Sequence, residues 1–216
     1  MIAHHVHDAL AQVRRLQDLI LEKRMFQGYS GRARVLSGAT ALAAAAFLDS
    51  AWVPRTELAH LAGWALALTA ALLLNYGALA WWFLFDPTVR RNPRLIKPAI
   101  DAVPALLVGA VLSVALIVGG QYRLLFGVWM SLYGLAQVAY RQSLPPGIYR
   151  VGLLYMLCGA ACLLAPHLTF TNPWPMGLTF LFGEVAGGYV LLSESRGSGD
   201  GAREEAEGER VEGENQ

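Results

Sequence analysis

Cysteine is nearly absent. Only Cys158 and Cys162 occur among 216 residues, so no disulfide framework exists to read a redox compartment from. Charge is scarce too. Asp, Glu, Lys and Arg make up 15% of the chain, against roughly 25% in soluble domains. No phosphate-binding Gly-rich loop, dinucleotide fingerprint, nucleophile elbow or paired-His zinc motif is present. No motif of these kinds therefore points to a nucleotide-dependent, hydrolytic or zinc-dependent enzyme. No cleavable signal peptide is read at the N-terminus, which is polar until an apolar run near Ala33.

What is abundant is apolar. Hydrophobic residues reach 55%, more than a soluble domain of this size could hide. Glycine, at 22 residues, suits close packing of membrane helices. Six apolar segments are read, at 33–50, 59–85, 99–118, 124–140, 149–166 and 176–193. Each is long enough to cross a hydrocarbon core of roughly 30 Å. The expected fold is all-α, a polytopic six-helix transmembrane bundle over 33–193.

The basic residues orient it. Of 17 Lys and Arg, only Arg55 and Arg123 fall on one side of the six-segment pattern. The others cluster before or at the start of the first segment, in 86–98, at Arg141 and Arg150, and after the last segment. Cytoplasmic loops retain Lys and Arg, so both termini are expected in the cytoplasm, in the inner (plasma) membrane of a cell. The basic loops carry no nucleic-acid signature, and anionic lipid is their expected electrostatic partner.

The links fit this plan. DPTVRRNPRLIKP, 86–98, holds three prolines and reads as a cytoplasmic loop. Gly119 to Tyr122 reads as a tight outer turn, and Leu144-Pro145-Pro146-Gly147 as an inner one. Thr171-Asn172-Pro173-Trp174-Pro175 carries a helix-start signal. Trp81, Trp82 and Phe83 read as an interfacial aromatic belt.

The flanks differ. In residues 1–32, Ile2, Val6, Ala9, Val13, Leu16 and Ile20 recur at gaps of four and three, forming one apolar seam. An amphipathic helix over 2–24 could lie on the cytoplasmic leaflet, fold under the bundle, or pair with a second copy or a membrane partner protein. Residues 194–216 are acidic, with few apolar residues, and read as a disordered cytoplasmic tail.

Few residues could carry chemistry. Glu184 sits near the middle of the sixth segment, where a carboxyl costs a few kcal/mol and is expected to face the bundle interior. Gly183 and Gly187 beside it would let another helix approach. Glu184 is expected to be either a proton, cation or ligand site, or packing glue hydrogen-bonded to a neighbouring helix. Asn75, mid-way along the second segment, could join it in one polar cluster. Gln137 lies in the inner half of the fourth. Asp101 lies one turn inside the third, after Lys97, where a salt bridge or a helix-start charge explains it. Asp49 is expected to be solvated or capping.

Metal and cofactor signals are weak. His4, His7 and Asp8 share a helix face, but a terminal helix end gives poor support for a metal site. Cys158 and Cys162 lack a third ligand, and their helical spacing does not suit a disulfide. No cofactor is expected.

The stretch Phe126–Leu164, FGVWMSLYGLAQVAYRQSLPPGIYRVGLLYMLCGAACLL, resembles a group of small bacterial six-helix membrane proteins with no established activity. In that group a G-x-W-x-x-x-Y-G helix precedes a proline-containing turn and a helix with a small-residue core. The first segment, with its SGATALAAA run, and the Gly-rich last segment are similar as well. Members carry His in the last span where this chain has Glu184. The resemblance therefore implies a retained polar position, but no His-based metal or haem role.

The sequence thus points to a non-enzymatic membrane-complex subunit, scaffold or sensor acting through helix contacts. Loops this short leave no room for an extramembrane catalytic domain. The alternatives are a small proton- or ion-coupled carrier using Glu184 with Asn75, and a lipid-modifying enzyme.

Overall fold

The computed structural model describes residues 31–85, 97–139 and 145–193. Every regular element in them is helical. The seam at 2–24 with His4, His7 and Asp8, most of the 86–98 loop, and the tail from 194 onward lie outside the described residues.

The first helix, α1, spans Gly31–Leu48. It starts two residues ahead of the predicted segment, with Gly31 and Arg32 wound into its first turn. Helix α2 covers Glu57–Phe85, 29 residues, or about 43 Å at the usual rise. That exceeds a hydrocarbon core of roughly 30 Å, so an upright α2 would project beyond it. Thr56 Oγ1 accepts the Ala59 amide at 3.4 Å, and Glu57 occupies the first turn, where an anion is favoured. Near its far end Trp81 and Phe85 stack at 4.4 Å.

Helix α3 spans Lys97–Val118. The predicted loop to residue 98 is therefore too long by two residues. Pro98 falls in the first turn, where its missing N–H is no loss. The Gly119-Gly120 turn follows as predicted, with Gly120 at φ +66°. A short 3-10 turn, Tyr122–Leu124, feeds α4, Leu125–Ala139.

Helix α5 spans Pro146–Leu164. Pro145 before it is extended, at φ −53° and ψ 146°, as expected ahead of another proline. Helix α6 spans Trp174–Ser193. The start signal holds, since Asn172 Oδ1 accepts the Trp174 amide at 3.3 Å.

Among the described residues, three helices are long and apolar enough to cross a membrane: Glu57–Trp81, Pro146–Leu164 and Trp174–Ser193. Val103–Val118 is a shorter apolar helix. Large apolar side chains point outward on α2 (Leu66, Leu73), α3 (Leu107, Val111, Val114) and α6 (Phe182, Tyr189). Such a surface marks contact with lipid or protein.

The core sits toward the end where α1 meets α2, α3 meets α4 and α5 meets α6. It gathers Ala45 and Leu48 of α1, Trp64 of α2, Leu125, Phe126 and Met130 of α4, Phe170 of the α5–α6 connection, and Met176 of α6. Phe126 stacks on Phe170 at 4.8 Å and meets Trp64 edge-on at 5.8 Å, arrangements favoured by the ring quadrupole. Helices α4 and α5 cross in close contact, with Gly134 and Gly152 facing each other's carbonyls. The opposite half of the bundle is tied together by polar contacts.

Candidate functional site

Glu184 is 2% exposed, so its carboxylate needs partners. Four donors supply them. Arg34 of α1 donates from Nε to Oε2 at 2.8 Å and from Nη2 to Oε1 at 3.0 Å. Tyr133 of α4 donates to Oε1 at 2.7 Å. Tyr155 of α5 reaches the same oxygen at 3.1 Å. Its hydroxyl also lies 3.4 Å from the Phe180 carbonyl, and the shorter contact, to a charged acceptor, is the stronger. A carboxylate offers about four acceptor positions. Three of the four bonds converge on Oε1 and one reaches Oε2, so donors from three other helices meet at this carboxylate.

Gln137 of α4 extends the network. Its Oε1 accepts from Arg34 Nη2 at 3.3 Å. That contact orients the amide, because its NH2 end would repel a guanidinium. The consequence is that Nε2 is buried without a hydrogen-bond partner among the described residues.

Small residues and rings enclose the pair. A Cβ at Gly187 would stand 2.8 Å from Arg34 Cζ, and one at Gly183 would run into the Tyr155 ring. The expectation that these two glycines admit a neighbour thus acquires definite occupants. Tyr133, Tyr155 and Phe180 form an aromatic triad, with Tyr133 and Tyr155 edge-on at 4.9 Å. The carboxylate sits beside these rings, away from water.

The placement of the other predicted residues differs from one to the next. Gln137 belongs to the network. Asn75 does not, because it donates to Ser37 Oγ at 2.6 Å and to the Ala71 carbonyl at 3.0 Å. It joins α2 to α1 instead of meeting Glu184, so the anticipated Glu184–Asn75 cluster is not formed. Asp101 lies one turn into α3. Asp49 pairs with Arg55 at 3.5 Å and accepts from Trp174 Nε1 at 2.9 Å, both at the exposed surface. Cys158 and Cys162 are free thiols. No group of three metal-ligating side chains occurs among the described residues.

Sequence reasoning does not single out Arg34, Tyr133 or Tyr155. It counts Arg34 only as a topology charge at the start of the first segment. What it misses is helix rotation, which turns Arg34 toward Glu184 of α6. The similar Arg150-Val151 start of α5 leaves its arginine exposed, so local sequence does not distinguish the two.

The remaining helix is tied in the same way. Trp129 Nε1 of α4 donates to Ser113 Oγ of α3 at 2.7 Å. Each of the six described helices therefore makes at least one side-chain hydrogen bond to another helix. Interhelical polar contacts are expected where apolar contacts with lipid and with protein are equally good. Among the described residues, these features define a helical fold with three helices long and apolar enough to cross a membrane and a buried ion-pair network. No family profile, curated protein or solved structure matches the chain.

Proposed function

We propose that this chain is a six-span integral membrane protein of the bacterial inner membrane, with both termini cytoplasmic. In this reading it is non-enzymatic and serves as a complex subunit, scaffold or sensor through helix contacts. The observation that carries the reading is the filling of Glu184: donors from α1, α4 and α5 engage its carboxylate, and the residue is 2% exposed. A carboxylate held this way fixes helix positions and offers little to a reacting substrate. The helix boundaries and the outward apolar faces of α2, α3 and α6 support the six-span arrangement. The resemblance of 126–164 to small bacterial six-helix proteins is in keeping with it.

Two experiments test this. Single cysteines at Ser50, Gln121 and His167, in a chain lacking Cys158 and Cys162, should label from outside intact cells. Cysteines at Arg141 and Ser195 should label only after permeabilisation, and any other pattern refutes the topology. In mild detergent, the full chain should run as a stable complex that disperses when residues 1–24 are removed. A monomer before and after truncation refutes the scaffold reading.

A proton- or ion-coupled carrier is the second reading. What favours it is the unpartnered Gln137 Nε2 beside a guanidinium that is itself 12% exposed, which leaves one donor free beside the charges. This reading requires Glu184→Gln to abolish a pH-dependent flux in proteoliposomes. Absence of flux in the wild type, or unchanged flux in the variant, removes it.

A further inference from the structure

At the end of the bundle remote from Arg34, three connections meet around a cleft of about 240 Å³. The start of α2 contributes Glu57. The α3–α4 turn contributes Gln121, Tyr122 and Arg123, and the α5–α6 connection contributes Thr169 and Phe170. Phe170 is a buried member of the aromatic core, so that wall is packed from behind. Gly120, at φ +66°, lets the chain reverse and bring Arg123 to the rim.

The charges at this end are unevenly used. Four formally charged side chains lie in or beside these connections: Asp49, Arg55, Glu57 and Arg123. Asp49 and Arg55 neutralise each other at 3.5 Å. Glu57 and Arg123 line one cleft, yet neither makes an ion pair among the described residues. An exposed carboxylate and an exposed guanidinium that line one concave surface without joining complement a molecule that carries both opposite charges. The small volume limits the ligand to roughly the size of a headgroup, below the 300–1,000 Å³ typical of drug-sized ligands.

We propose that this cleft binds a small zwitterion, its ammonium group facing Glu57 and its phosphate or carboxylate facing Arg123. Guanidinium recognition of an oxyanion is the stronger of the two contacts, because it can be bidentate. The ligand has two chemical sources, a free zwitterion or the ethanolamine headgroup of a neighbouring phospholipid. The proposal is independent of how Glu184 or residues 1–24 are used.

The full chain in nanodiscs provides the test. In one arm, O-phosphoethanolamine is titrated calorimetrically into phosphatidylcholine nanodiscs. In the other, native mass spectrometry compares retention of phosphatidylethanolamine with that of phosphatidylglycerol. Wild type should bind the free compound, or retain the ethanolamine lipid over the glycerol lipid. Arg123→Gln and Glu57→Gln should each weaken that binding at least tenfold, and Arg123→Lys should restore part of it. Binding in the first arm assigns a free zwitterion, and selectivity in the second arm alone assigns the headgroup. No binding in either arm, or binding unchanged in both neutral variants, overturns the proposal. Both positions are exposed, and an unchanged elution profile confirms that the variants fold.

Discussion

Arg34 and Glu184 are 150 residues apart in sequence and meet in a two-point ion pair, with bonds of 2.8 and 3.0 Å. Side-chain exposure is 12% for Arg34 and 3% for Glu184. The pair joins the first described helix to the last, and two tyrosines and a glutamine join it to the two helices α4 and α5.

Breaking the pair from one side should be worse than removing it. Arg34→Met or Glu184→Leu alone leaves a buried charge, at a cost of about 3–5 kcal/mol. The double variant should recover most of that loss, because an apolar pair is often neutral relative to an ion pair. Thermal unfolding in detergent, run as a double-mutant cycle, measures this. Additive losses would show that the two charges act separately.

Glycine substitutions should divide by location. Gly183→Ala places a methyl group in the Tyr155 ring, and overpacking of this kind costs about 1–3 kcal/mol. A methyl group added at Gly77 would meet nothing within 4 Å, so Gly77→Ala should stabilise α2 by about 0.5–1 kcal/mol through backbone entropy. Opposite shifts in melting temperature are the expected result.

The pairwise helix ties should matter less than the network. Asn75→Leu and Ser113→Ala each remove one interhelical hydrogen bond, worth about 0.6–2 kcal/mol. If Asn75→Leu proved as damaging as Glu184→Leu, Asn75 would be acting through something other than its bond to Ser37.

The tyrosines should differ in what replaces them. Tyr133→Phe and Tyr155→Phe keep the aromatic triad but each remove a donor to Glu184 Oε1. Hydrogen bonds to charged groups are worth about 1.5–3 kcal/mol. The Tyr133 variant should lose more, since its bond is shorter and is not shared with a carbonyl as the Tyr155 bond is. Equal stabilities for the two variants would contradict this ordering.

Much of the fold is legible along the chain. An apolar run needs no partner to declare itself, and three of the six form helices long and apolar enough to cross a membrane. Proline and glycine act locally, so the turn at Gly119-Gly120 and the start of α6 are readable. Glu184 is legible for a related reason, since a carboxyl in an apolar helix is costly and must be answered. Its partner is not. Asn75 looks suitable by depth along its helix, but depth does not fix which face a helix turns toward a neighbour.

The sequence by itself determined the six described helices, their boundaries to within a few residues, and the presence of a buried charge needing a partner. Those depend on hydropathy, local backbone preference and the cost of desolvation, which act along the chain. Only the tertiary structure decided that Arg34 answers Glu184, that Tyr133, Tyr155 and Gln137 complete the network, and that Glu57 and Arg123 face one cleft unpaired. Those outcomes depend on helix rotation and on which helices are neighbours. Both are set by contacts between residues far apart in sequence.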